Sequence, residues 1–169
     1  MREPDGLRDF VTYASPQLLR SAWLLTRDWH AAEDLVQTAL LRAIPRWRHI
    51  QRSDDPSVYV RKIMLNLFLT GRARRWTGEQ PVSAVPERPT DTDGLVDADL
   101  RLAQLGVLAE LPRQQRAVIV LRFFDDLTET ATADVLGCSV GTVKSHAARA
   151  LTRLRAHPTL RSLTEEVPS

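Results

Sequence analysis

A chain of 169 residues with 43% apolar and 26% charged residues is long enough for one domain or two small ones, and too apolar for wholesale disorder. Its apolar runs stop short of the about 18 residues a spanning helix needs, and MREPDGLRDF lacks a signal-peptide core. With a net charge of +2 and a single cysteine, Cys138, an intrachain disulfide is excluded, and a reducing cytoplasmic setting is expected.

Few glycines and long stretches of Leu, Ala and Arg point to helix, and strand-like alternation is absent. Ser15 and Pro16 read as N-cap and first helical residue of a helix through Leu18, Leu19, Trp23, Leu24 and Leu25. Asp28 caps a second helix with Ala32, Leu35, Val36, Ala39 and Leu40 on its apolar face. Pro45 ends that helix near Ile44. Asp55 and Pro56 repeat the cap-plus-proline signal before Val60, Ile63, Met64, Leu67 and Phe68. Residues 79–97 hold three prolines and little apolar periodicity, the composition of a linker. Helical signals return at Asp97–Glu110, at Pro112–Phe124 with Pro112 as first helical residue, at Thr128–Leu136 and at Val140–Ala156. The expected fold is all-α: two small helical domains, 1–78 and 98–160, joined by the acidic linker 79–97 and followed by a tail, 161–169.

Charge sharpens this division. Lys62 and Lys144 are the lysines among the 23 basic residues; the rest are arginine, whose fork suits phosphates and base edges. From Arg42 to Arg75 nine basic residues face Asp54 and Asp55. From Glu79 to Asp99 six acids face Arg88. From Thr142 to Arg161 there are five basic residues and no acid. Two basic patches joined by an acidic strap read as two footprints on nucleic acid; the alternative is chance clustering on solvated helix faces.

The segment TETATADVLGCSVGTVKSHAARALTRLRA has the pattern of a helix-turn-helix. Ala133 is the small residue for the helix crossing, and Gly137, four places on, suits the left-handed turn. Ser139 is the N-cap of the second helix. Val143, Ala147, Leu151 and Leu154 form its apolar stripe. Thr142, Ser145, His146 and Arg149 are candidates for base edges in the major groove, and Lys144 and Arg153 for phosphates. A packed helical hairpin with a basic outer face is the bland alternative.

Catalytic and metal chemistry find little support. His30 and Glu33 lie one turn apart, but His49, His146 and His157 are scattered and complete no ligand set. Cys138 reads as a small buried residue. Trp23 and Trp47 read as core. Trp76 follows Arg72, Arg74 and Arg75, and either stacks on an exposed base or packs on its own helix. No catalytic residue, metal or cofactor is assigned.

Three stretches carry a family resemblance. AEDLVQTALLRA (32–43) resembles the core-polymerase-binding helix of bacterial sigma factors. VYVRKIMLN (58–66), with the arginines to Arg75, resembles the promoter −10 helix. LPRQQRAV (111–118), with the helix-turn-helix, resembles the −35-binding domain. The resemblance covers both blocks in family order, about 150 residues. The two-domain plan resembles the extracytoplasmic-function (ECF) group of the sigma-70 family, and RRWTGEQP (74–81) its actinobacterial SigE-like branch.

The resemblance implies a protein that binds core RNA polymerase, directs it to −10 and −35 promoter elements and helps open the DNA. It implies that Asp34, Gln37 and Leu41 contact the clamp coiled coil of the largest subunit, with the polymerase flap meeting the second domain. A flipped −10 base would sit at the loop Gln51–Asp55, with Arg52 and Ser53, and at Asn66, its unstacking offset by new contacts. Arg61, Lys62, Arg72, Arg74 and Arg75 would hold the opened strand. Thr142, Lys144, Ser145, His146, Arg149 and Arg153 would face the −35 element. An anti-sigma factor is a further partner type in the family. The 19-residue linker reaches roughly 63 Å, enough to span the two elements. Thr38 stands where family members often carry an acid, Pro45 interrupts a helix that often continues, and His146 stands where arginine is common. A stand-alone helix-turn-helix regulator, dimerising through its first block and binding duplex DNA without polymerase, is the other reading. A nucleic-acid-processing enzyme lacks its catalytic cluster here.

Overall fold

A computed structural model describes residues 4–71 and 106–158. Among them every regular element is helical. The chain divides into two compact units between Asp93 and Gly94, each taken by itself below. The expected linker 79–97 lies outside the described residues, as do Arg72, Arg74, Arg75, Trp76 and most of the helix expected at Asp97–Glu110.

In the first unit α1 spans Leu7–Thr26, α2 Trp29–Ala43, α3 Trp47–Ile50 and α4 Pro56–Leu69, with a 3-10 turn at Ile44–Arg46. The expected start of α1 is corrected: Pro16 lies inside the helix rather than at its first residue. The buried stripe Leu7, Ala14, Leu18, Ala22 and Leu25 runs past the proline on the opposite side. Pro16 and Thr12 are both exposed, so the carbonyl deprived of a helical donor is free to bond water. Asp28 caps α2 as expected, accepting from the N–H groups of His30 and Ala31 at 2.8 and 3.2 Å. Asp55 does the same for α4, accepting from Ser57 N at 2.9 Å, with Pro56 next to it. Pro45 converts the end of α2 to the 3-10 turn. Leu35, Val60, Met64, Leu65, Leu67 and Phe68 fill the core. Trp47 closes one end, packing on Phe10 with ring centroids 5.0 Å apart and donating from Nε1 to the Asp5 carbonyl at 2.9 Å.

In the second unit a 3-10 turn, Val107–Glu110, precedes α5 (Arg113–Ile119), a π turn (Val120–Phe124), α6 (Glu129–Leu136) and α7 (Val140–Ala156). Two expectations are corrected. Gly106, with φ 67°, opens a 3-10 turn where the expected helix ended, and Pro112 is the N-cap of α5 in an extended conformation, not its first helical residue. The expected single helix to Phe124 widens at its end, where Asp125 N donates to Val120 O at 2.9 Å. Val118, Ala133 and Val143 meet in the core of the α6–α7 pair, with Leu136, Cys138, Val140 and Ala147 around them.

Thr132 is wholly buried in this unit, and its Oγ1 has no hydrogen-bond partner. An unpaired buried hydroxyl costs about 1–3 kcal/mol. Thr132→Val keeps the shape and removes the hydroxyl. We expect it to stabilise the second unit by about 1 kcal/mol, read as a higher denaturant midpoint with an unchanged slope.

Candidate functional site

The turn between α6 and α7 is built by backbone chemistry. Gly137 adopts φ 67°, with open space around its α-carbon, so the left-handed conformation rather than crowding selects glycine. Cys138 N then returns to Ala133 O at 3.1 Å. Ser139 starts α7 by accepting from Thr142 N at 3.1 Å. Val143 and Ala150 are fully buried, while Ala147, Leu151 and Leu154 are half-buried. The apolar stripe is therefore the expected one, with Ala150 added.

The outer face of α7 exposes Lys144, Ser145, Arg149 and Arg153. Thr142 is half-buried, its hydroxyl 2.9 Å from that of Ser139. His146 is also half-buried, with Nδ1 closed off and unpartnered. Lys144 Nζ lies 3.7 Å from Glu129 Oε2 of α6. This exposed pair is worth little to stability, so a phosphate can compete for the lysine. At the far end of α7, His157 Nε2 meets Glu110 Oε2 at 2.7 Å, tying the helix to the 3-10 turn before α5.

In the first unit α2 has two contrasting faces. Ala31, Ala32, Leu35, Val36 and Ala39 are buried. Asp34 and Gln37 are exposed, and Leu41 is 66% exposed, followed by Ile44 at 37%. Asp34, Gln37 and Leu41, at three- and four-residue spacing, line one side. The exposed apolar patch at Leu41 and Ile44 was not among the sequence expectations beyond Leu41 itself; Ile44 reads from sequence as the last residue before a proline.

Beyond α3, Arg52 is exposed, and Ser53 donates to the Ile50 carbonyl at 2.5 Å. On α4, Asn66 is exposed and Lys62 half-buried. Arg61 departs from the expectation of a strand-facing cation. It is 6% exposed, because it shares the wide buried face of α4 with Val60, Met64, Leu65 and Phe68, and its long stem packs there.

Among the described residues no group of three or more His, Cys, Asp or Glu is placed to hold a metal ion. No described helix is long and apolar enough to cross a membrane.

Comparison with known proteins assigns both units. The family model "Sigma-70 region 2" matches residues 10–77, and "Sigma-70, region 4" matches 105–154. The RNA polymerase sigma-E factor of Streptomyces coelicolor is 39% identical over 163 residues, covering 96% of this chain and 92% of that protein. The ECF RNA polymerase sigma factor EcfG of Rhodopseudomonas palustris is 32% identical over 157 residues, covering 90% and 84%. Among solved structures, the Bartonella quintana sigma factor RpoE, crystallised with the anti-sigma factor NepR, shares the fold with a TM-score of 0.68 at 24% identity, covering 90% of this chain and 96% of that one. CnrH, in complex with the cytosolic domain of CnrY, gives 0.61 at 22%, covering 95% and 89%. Both regions are thus present in family order, on a chain that spans nearly the whole length of its Streptomyces relative. The chain belongs to the ECF group of the sigma-70 family, as a non-enzymatic sigma factor that binds RNA polymerase to initiate transcription at specific promoters.

Proposed function

We propose that α2 docks on the clamp coiled coil of the largest polymerase subunit through Asp34, Gln37 and Leu41. The observation that carries this reading is Leu41, a large apolar side chain left 66% exposed beside two polar residues on one helix face. Burying such a side chain returns about 1.5–3 kcal/mol. The flanking Asp34 and Gln37 supply directional contacts. Arg52, Ser53 and Asn66 take the flipped −10 base, and Lys62 holds the opened strand together with Arg72, Arg74 and Arg75.

Thr142, Ser145, His146 and Arg149 read −35 base edges, and Lys144 and Arg153 hold its phosphates. The polymerase flap meets the second unit, and residues 79–97 join the two units on the promoter. The protein works in the cytoplasm, with the polymerase. Structural neighbours held by anti-sigma factors support a partner of that class here.

The test is capture of bacterial core RNA polymerase by the full chain, followed by run-off transcription on a genomic promoter library. Core binding with discrete new start sites is expected, and aligning those sites yields the two elements. Absence of core binding, with tight duplex binding by the protein alone, overturns the docking role of residues 32–43.

A further inference from the structure

Helix α7 carries basic side chains and no acid of its own. Val140–Ala156 holds Lys144, Arg149, Arg153 and Arg155, and neither Asp nor Glu. A counter-charge for Lys144 comes from the neighbouring helix. Glu129 is the first residue of α6, and its Oε2 lies 3.7 Å from Lys144 Nζ, with the two side chains 39% and 65% exposed. Thr128 fixes where α6 begins, accepting from Ala131 N at 3.0 Å, and so fixes where Glu129 sits.

Two stability roles are open to this carboxylate. An exposed ion pair of this kind adds little. An acid in the first turn also meets the positive end of its helix, a role that does not involve Lys144. The pair has a larger consequence for a phosphate. A phosphate oxygen bonded to Nζ where it stands lies within about 7 Å of the Glu129 carboxylate. That is inside the screening length of about 8 Å at physiological salt. The phosphate must take the lysine from Glu129 and then endure a like charge beside it.

We propose that Glu129 is a counter-charge on the DNA-binding helix pair, competing with phosphate for Lys144 and holding down sequence-independent binding to duplex DNA. The proposal rests on the phosphate role of Lys144 given above. Phosphates are the same along any duplex, so a stronger contact to them tightens binding to every sequence alike. Bulk duplex far outnumbers promoters. Tempering this one contact leaves base edges a larger share of the affinity, and leaves less of the chain on DNA that holds no promoter.

Glu129→Gln in the full chain is the first test, read by fluorescence anisotropy on a labelled duplex of arbitrary sequence over a range of salt. The variant should bind roughly three-fold tighter at low salt, with a salt slope steeper by about one. Reconstituted holoenzyme on a promoter fragment should shift in the same direction. In a Lys144→Ala background most of the gain should vanish, because no phosphate is then drawn to the carboxylate. Thermal melting follows the helix-start role separately. If Glu129→Gln leaves affinity and slope unchanged while Lys144→Ala weakens binding, the counter-charge is overturned and the phosphate role of Lys144 stands. If Lys144→Ala changes nothing either, that phosphate role fails and the proposal with it. An equal gain with and without Lys144 would reduce Glu129 to one charge among many, and overturn the pairing.

Discussion

The double substitution Asp34→Lys, Leu41→Asp is expected to weaken core polymerase binding about 100-fold, or roughly 3 kcal/mol, without unfolding the first unit. The two effects separate because of where the residues sit. The core side of α2 is formed by Ala31, Ala32, Leu35, Val36 and Ala39, all buried. Asp34 is exposed and Leu41 66% exposed, so neither contributes to that core. Their replacement removes an apolar anchor and reverses a charge only where a partner would lie. Equilibrium binding to core polymerase checks the loss, and thermal melting checks the fold. A fall in both would assign the residues to folding rather than docking.

Arg149→Ala is expected to cost about 1–3 kcal/mol of discrimination at one position of the −35 element. Arg149 is exposed on the outer face of α7, and a guanidinium there offers two parallel donors to guanine O6 and N7. Promoter selection by the reconstituted holoenzyme is the measurement. A base reader relaxes one position and leaves the rest of the sequence preference intact. A phosphate contact weakens all sequences alike and lowers the salt slope by about one. Lys144→Ala should give that second pattern, moderated because the lysine already has Glu129 at 3.7 Å. An unchanged sequence preference in the Arg149→Ala protein would remove it from the base-reading set.

Much of the architecture was legible because the signals were short-range. Asp28, Asp55 and Ser139 each satisfy backbone N–H groups two or three residues on, and a cap depends on few neighbours. Gly137 and Val143 were legible for the same reason: one needs a left-handed turn, the other an apolar stripe. Pro16 misled because the cost of an interior proline depends on which way its side of the helix faces. Here that side is open to solvent, and the buried stripe continues behind it. The wide turn at Val120–Phe124 has no comparable local code, since it differs from an α-helix in backbone bonds that reach one residue further, as from Asp125 N to Val120 O. Arg61 was read by its charge alone, while its burial follows from the breadth of the α4 core face. For the candidate site, residue types and spacing located the outer faces of α2 and α7. What they missed was cooperative: the Ile44 extension of the apolar patch and the Lys144–Glu129 pair, each a product of two elements meeting.

The wide turn Val120–Phe124 also has a bearing on tolerance to length change. A π turn is an α-helix carrying one surplus residue, and each residue of an α-helix advances the chain by about 100°. Removing one residue within this turn would let the helix close into regular α form and absorb the deletion on the spot. The same deletion in α7 has no slack to draw on. It would swing every later side chain by about 100°, turning Arg149 and Arg153 away from the face they share with Lys144. The second unit therefore carries one segment that can lose a residue and one whose residue count is itself part of its chemistry.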